Sequence, residues 1–530
     1  MRELVSHDVA LQVEKLIHSL CRKHLIQTGV ESTGGGAHYR FAHALVREAA
    51  YQGMLKRTRA TLHERFVGWA DRVNSDRDRA VEFEEILGYH LEQAHGNLKE
   101  LGPLDDHGLE LGRGAAARLA SAGQRAFARG DMPAAANLLR RAASVLPERD
   151  PSRLELIPDL GEALLEVGEF PWAELFLEEA IDARRDRDGL IPALSELLLL
   201  RVKAQAGSAE RWSERLVEEA SQMLAQSDEE DDDAMLATIW RLLAWAHGTS
   251  CRFGLATRAA ERAIDHARRA HDGRQTRLAA GHYALAALRG PTPVLEAIER
   301  CEGIILEARG DRRTQGVVKS TLATLLAMRG EFERARELAR DAQALLDDLG
   351  PTVSSASSSL EIAWLERLAG ELEAAERELR RDYDALTELG ERYFLSTVAG
   401  ELARVLYEQG RVNEAEQMSR QAQHLADDDD IASQMLWRTV LAKVRAHRGD
   451  CDGALALVKE AVDLLTSTDA VSAQAETLVD LAEILRCAGR VKDADRVLED
   501  AIGLYELKGN LAGAELARAS AAPAHFIQPL

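Results

Sequence analysis

No apolar run in this chain of 530 residues approaches the ~20 residues that span a bilayer. Nor does it open with the basic-then-apolar pattern of a secretion leader. A membrane partner is therefore not expected, and a cytoplasmic setting is. The five cysteines, Cys21, Cys251, Cys301, Cys451 and Cys487, are scattered without a CxxC pair. That fits a reducing compartment with thiols serving as small core residues. Aromatic residues make up only 5%. β-Branched residues are also few, while Ala, Leu, Glu and Arg abound, which predicts an all-α protein. The dipeptide Gly-Lys does not occur, so a Gly-x-x-x-x-Gly-Lys-Ser/Thr phosphate cradle is excluded. There is no His-Glu-x-x-His, no Gly-x-Ser-x-Gly and no cyclase signature. Gly112-Arg113-Gly114 lacks the third glycine of a dinucleotide fingerprint. His90 and His95 are five apart and do not share a helical face, so a metal site there is not expected. Carboxylate pairs are everywhere in so acidic a chain, and none stands out as an acid–base couple. The expectation is a protein with no catalytic residue, no cofactor and no metal.

Charge narrows the partners. The net charge is −22, but residues 1–72 carry eleven basic against seven acidic side chains, so all of the excess acidity lies beyond them. An acidic surface of that size argues against nucleic acid as a partner. The acidic runs Asp228–Asp233 and Asp427–Asp430 read as loops between helices.

What the chain does have is a period. Gly-x-x-x-x-Ala recurs as Gly130/Ala135, Gly168/Ala173, Gly330/Ala335, Gly370/Ala375, Gly410/Ala415, Gly449/Ala454 and Gly489/Ala494, with adjacent members 38 to 40 residues apart. Weaker members at Gly207, Gly248 and Gly290 keep the pitch. A fixed period of this size marks a stacked repeat. Each unit reads as two helices around a glycine in the left-handed conformation. Asp131, Glu169, Glu331, Glu371 or Asp450 follows, where a carboxylate can cap the next helix. Alanines at plus five and plus twelve, with an apolar residue at plus nine, lie on one helical face.

This Gly-(Asp/Glu)-x-x-x-Ala core resembles the second half of a tetratricopeptide repeat, although that unit is usually 34 residues. The resemblance covers roughly 112 to 505. It implies a right-handed tetratricopeptide-like superhelix of about nine to ten helix pairs, whose first helices line a concave groove. Counting back from the turn glycines proposes Trp364, Arg367, Arg404, Tyr407, Lys443, Glu483 and Arg486 as a partner groove. The aromatic and arginine residues suit a protein anchor, and the basic cluster would favour an acidic peptide.

The first seventy residues differ. A helical stretch over Val9–Lys23, strand candidates at 24–27 and 38–41 around the tip Glu31–Gly36, and helices over Ala42–Leu55 and Thr58–Val73 follow the order of a winged helix. Its two leading helices have no room after Met1, so the sequence reads as starting inside that domain. Tyr39–Tyr51, Leu62-His63-Glu64-Arg65 and Ile86–Ala94 resemble the winged-helix region of bacterial STAND-type ATPases, proteins associated with adenylate/guanylate cyclase or LuxR-type domains. The resemblance implies that His43 senses a nucleotide phosphate. It also implies that the repeats bind a protein or inducer and relay it to an ATPase or cyclase module in cis or trans. The expected organisation is a partial winged helix at 1–75, a helical connector at 76–111, the solenoid at 112–505, and a capping helix and tail at 506–530. Two alternatives are a free-standing scaffold that binds protein tails and a DNA-binding regulator. The regulator would read DNA through Lys15, His18, Arg22 and Lys23.

Overall fold

A computed structural model describes residues 9–520, except 10, 30–37, 76–82, 184–189, 210, 227–231, 349–351 and 358. The tip Glu31–Gly36, most of the first acidic run and the tail after 520 thus lie outside the described residues. Early in the chain come α1 (Val13–Arg22), β1 (Ile26–Gly29), β2 (His38–Phe41), α2 (Ala44–Gln52), α3 (Lys56–Ser75), α4 (Glu84–Lys99), α5 (Asp106–Arg129) and α6 (Met132–Ser144). The strands pair antiparallel, with Ile26 opposite Phe41 and Gln27 opposite Arg40. The remainder is helical: α7 (Pro151–Glu166), α8 (Phe170–Asp182), α9 (Leu190–Gln205), α10 (Trp212–Gln226), α11 (Asp233–Thr249), α12 (Phe253–Arg269), α13 (Gly273–Arg289), α14 (Val294–Glu307), α15 (Arg312–Met328), α16 (Phe332–Asp347), α17 (Val353–Ala356), α18 (Ser359–Leu368), α19 (Leu372–Leu389), α20 (Tyr393–Glu408), α21 (Val412–Leu425), α22 (Ile431–His447), α23 (Cys451–Thr466), α24 (Val471–Cys487), α25 (Val491–Lys508) and α26 (Leu511–Ser520). Among the described residues no helix is long and apolar enough to cross a membrane. Two compact units are distinguished: residues 1–127 with 134–159, and residues 128–133 with 160–530.

In the first unit α3, α4 and the start of α5 share a core of Ala60, Val67, Ala70, Leu87, Leu91 and Ala94. Arg141 clamps Glu92 with two nitrogens.

In the second unit the repeat alanines explain the period. Ala173, Ala335, Ala375, Ala415, Ala454 and Ala494 are fully buried, as are Ala180, Ala342, Ala422, Ala461 and Ala501. A larger side chain at these contacts would hold the helices of a pair apart. One repeat departs from the rule. Asp382 stands at plus twelve after Gly370, buried, and its carboxylate accepts from Ser359 N at 2.8 Å. That bond substitutes an N-terminal cap on α18 for a small-residue contact. The acidic residues after glycine behave less uniformly than expected. Asp450 caps α23 through Gly453 N at 3.0 Å. Glu169, Glu331 and Glu371 sit at the same position without a capping bond. The longer Glu side chain reaches past its own amides, and Glu331 and Glu371 pair with Arg334 and Arg336 instead.

The turn glycines are left-handed, with φ of +76° at Gly168 and +79° at Gly410. A Cβ at Gly410 meets nothing, whereas at Gly168 it would lie 2.8 Å from the Leu389 carbonyl oxygen. Gly410→Ala should therefore cost about 1–2 kcal/mol from backbone strain alone. Gly168→Ala should cost more, because backbone must also move. Urea unfolding of the two variants measures the difference.

Leu389 is 221 residues from Gly168, and it is not an isolated neighbour. Arg392 N donates to Gln205 O at 2.7 Å. Asp429 accepts from Ser213 N and Oγ at 2.9 and 2.7 Å, capping α10. Asp469 accepts from Phe253 N and Gly254 N at 2.5 and 2.8 Å, capping α12. Lys508 Nζ donates to the carbonyls of Ala287, Gly290 and Thr292 at 2.6, 2.7 and 2.5 Å. The repeats of this unit thus wind back onto themselves after roughly five and a half units of forty residues.

Glu391, beside this seam, accepts from Phe394 N at 2.9 Å while its other oxygen is buried without a partner. Burial pushes its carboxyl up to about 8, against the pull of three backbone amides. The folded state therefore holds a proton that the unfolded state releases above pH 4.5, the ordinary value. The stability this proton confers is complete below pH 4.5 and is lost as pH rises through about 8. Glu391→Gln, which keeps an acceptor for the amides, should gain on wild type by up to about 1.4 kcal/mol per pH unit across that window. Melting curves of both proteins at pH 5, 6.5 and 8 give the slope directly.

Candidate functional site

Helices α18, α20, α22 and α24 bring a cluster of paired charges together in the second unit. Arg367 donates to Glu476 at 2.5 Å and Arg404 donates to the same carboxylate at 2.7 Å. Lys443 pairs with Asp480 and Glu483, each at 3.0 Å. Tyr407 OH donates to Glu483 at 3.0 Å, and the Lys443 ammonium lies 4.7 Å from the centre of its ring. So Arg367, Arg404, Tyr407, Lys443 and Glu483 do come together, stitched by Glu476 and Asp480. Arg404 and Lys443 are buried. Burial alone would depress the Arg404 and Lys443 cations, but the carboxylates around them hold both above their ordinary values. For Glu476 and Asp480 burial pushes the other way, and the cations outweigh it. The acidic groups that the basic cluster was expected to seek in a peptide are supplied from within the chain. Arg486 is not part of the cluster; it bonds Asp495 and the Ser520 carbonyl.

A second network lies on α7 and its neighbours. Glu162 receives Arg241 at 2.6 Å, Arg274 at 3.2 Å and Arg201 at 3.3 Å. Glu166 receives Arg313 at 2.8 Å and Ser354 Oγ at 3.1 Å. Burial would raise the Glu162 carboxyl, yet the guanidinium groups hold it far below the usual range.

Between the networks is a cavity of about 280 Å³, close to the lower end of small-molecule sites at roughly 300–1,000 Å³. Its aromatic wall is Trp245, Tyr393, Phe394 and Trp364. Trp212 stacks on Trp245 at 4.4 Å from behind, and Tyr393 OH donates to Thr249 at 2.9 Å. Arg289 sits 5.7 Å from the Trp364 ring centre and pairs with Glu361 at 2.8 Å. Several polar groups on residues lining this space have no partner among the described residues. Trp364 Nε1, Ser320 Oγ and Ser472 Oγ are buried without a hydrogen bond, although Ser320 and Ser472 are only 2% and 3% exposed. His282 and Glu401 line the same space and make no hydrogen bond or ion pair among the described residues. Burial, reinforced by Arg241, Arg201 and Arg313, pushes His282 down to about 3, so it is a neutral imidazole. Buried polar atoms left unmet cost free energy, and a bound molecule that satisfies them recovers it.

The counting rule reached only one wall of this cavity, through Trp364. His282, Arg289 and Glu401 precede no strong turn glycine at the offsets used. Ser320 stands ten residues before Gly330, an offset of the rule, but the count does not reach back to that glycine; Glu476 looks like an ordinary surface residue until the repeats curve.

In the first unit His43 is exposed at the N-cap of α2, where its Nδ1 accepts from Leu45 N at 3.1 Å. Its Nε2 is left to carry the proton. His90 pairs with His63 (Nδ1 to Nδ1, 2.7 Å), and His63 Nε2 lies 2.9 Å from Tyr51 OH. Burial and the neighbouring His90 push His63 down to about 4.

Paired helices, left-handed turn glycines and buried plus-five alanines define the chain's class as a tetratricopeptide-like helical repeat protein. Residues 292–502 match the family model of the MalT-like TPR region. The fold is similar to that of a Rap protein complexed with Competence and Sporulation Factor, at TM-score 0.51 and 14% identity over 69% of this chain and 100% of that one. It is also similar to BtubC (BKLC) from P. vanneervenii, at TM-score 0.30 and 18% identity over 45% of this chain and 94% of that one. No curated protein sequence matches the chain.

Proposed function

We propose that this chain is a non-catalytic sensor whose repeats take up a small inducer and relay its presence to a STAND-type ATPase or cyclase module. The observation that carries the proposal is the cavity of the second unit. It is walled by helices from both windings of the repeat, as α11–α13 on one side and α20, α22 and α24 on the other each contribute lining residues, and among the described residues it displays partnerless polar atoms. A ligand bridging two windings couples its binding energy to how they close, and a relay needs such a coupling between ligand and conformation. The internally paired basic cluster favours this over a scaffold that grips acidic protein tails. In the same reading, His43 presents Nε2–H to a nucleotide phosphate held by the ATPase module, while its Nδ1 stays committed to Leu45.

Gly281 permits a clean test. It lines the cavity within α13, and a Cβ there meets only Val317 Cγ1, at 3.9 Å. Gly281→Leu should fill the space while improving helix propensity by about 1 kcal/mol. Low-molecular-mass fractions of a host-cell extract should raise the melting temperature of wild type and leave Gly281→Leu unmoved. If no fraction separates the two proteins, the cavity is not a ligand site and the sensor reading fails.

A further inference from the structure

The cavity has two unlike poles. Around Glu401, every cation is already met by at least one carboxylate. Arg289 is met by Glu361, Arg367 and Arg404 by Glu476, and Lys443 by Asp480 and Glu483. Among the described residues Glu401 is the carboxyl left over, and it lines the cavity. Ser472, with its unbonded hydroxyl, is one helical turn from Glu476 at this pole. Around His282 the balance is reversed. Among the described residues, Arg201, Arg241 and Arg313 are met by two carboxylates, Glu162 and Glu166. Here the surplus is positive, and the neutral imidazole offers one N–H donor.

The spacing between the poles follows from one helix. His282 and Arg289 both lie on α13, seven residues apart, which is about 10 Å along its axis. Arg289 belongs to the Glu401 pole: it pairs with Glu361 and lies against the Trp364 ring, both on α18, the helix that also carries Arg367. The cavity wall also carries apolar groups, among them Leu285, Leu360, Leu436 and the ring of Phe394.

We infer that the cavity binds a small amino-carboxylic zwitterion, its ammonium on Glu401 and its carboxylate on His282 and Arg313, with an apolar spacer of about 10 Å between them. This rests on the sensor reading above and names the ligand class for that site. Each end supplies the charge its pole lacks, and the spacer covers the apolar wall. Burial raises the Glu401 carboxyl, and an arriving ammonium would let it ionise.

Isothermal titration of the full chain with ω-aminooctanoate, octanoate, octylamine and octanol tests the class. The zwitterion should bind at least about tenfold more tightly than either singly charged analogue. In Glu401→Gln the advantage over octanoate should vanish while the advantage over octylamine persists. In His282→Leu the two should exchange roles. Circular dichroism melts establish that both variants are folded. Should octanol or a singly charged analogue bind as tightly as the zwitterion, the assignment of ligand class is overturned while the cavity remains a small-molecule site. Should Gly281→Leu bind every probe as wild type does, the cavity itself is refuted and the sensor reading goes with it.

Discussion

Glu162→Ala is expected to destabilise the second unit by about 3–5 kcal/mol, the cost of breaking a buried ion network by removing one partner. Glu162 is 5% exposed and is approached by three guanidinium groups, two of them from helices α9 and α11. Without it Arg241, itself 2% exposed, keeps only Gln275, at 2.7 Å, as a hydrogen-bond partner among the described residues. Water cannot easily reach such a charge, and it cannot give up its proton. The asymmetry supplies a control. Replacing the pair together, as Glu162→Leu with Arg241→Met, removes charges of both signs and should recover much of the loss. Denaturant unfolding followed by circular dichroism measures all three proteins. A single variant within about 1 kcal/mol of wild type would show that solvent screens the network, as it does surface pairs. Amide exchange should localise the effect to α7, α9, α11 and α13, because neighbouring repeats carry each other's stability and distant ones do not.

Lys508→Met is the second large effect, and it probes closure rather than charge. Its ammonium donates to three carbonyls where α13 ends and α14 begins, more than two hundred residues away. Burial pushes the Lys508 amine down to about 7, but three carbonyl acceptors can be served only by N–H and favour the ammonium. Hydrogen bonds from a charged donor contribute about 1.5–3 kcal/mol each when the alternative is an unmet buried acceptor. Methionine preserves the volume and strands three carbonyls. A loss of roughly 3–5 kcal/mol is expected after partial relaxation. Its signature is spatial: exchange should rise together around 287–294 and 505–510. Exchange rising at the C-terminal helices alone would mean that the two windings are not held by this residue. If the sensor reading is correct, this variant should also bind cavity ligands more weakly, since the cavity is formed between the windings that Lys508 joins.

Much of this architecture was legible in the chain before any coordinates. The Gly-to-Ala offset of five and the pitch near forty reflect contacts between adjacent helices, and local contacts leave periodic marks. Low aromatic content and abundant Ala, Leu, Glu and Arg carried the all-helical class. The inward-facing residues were also within reach, because counting back from a turn glycine is a statement about helical phase. What partners them was not legible. Glu476 meets Arg367 across 109 residues, and Asp469 caps a helix 216 residues upstream. No local pattern records such pairs, because they depend on the accumulated rotation of several repeats, and a small change per repeat would bring different residues together. Read in one dimension, Arg367, Arg404 and Lys443 form a basic groove awaiting an acidic guest. In three dimensions their counter-charges arrive from the repeats that follow, and the groups left unmet are different ones, His282 and Glu401. The sequence by itself determined the repeat, its helices and their buried faces, since these follow from short-range sterics and phase. Only the tertiary structure decided which charges cancel, where the cavity lies and which polar atoms remain for a ligand, since these follow from the curvature of the whole winding.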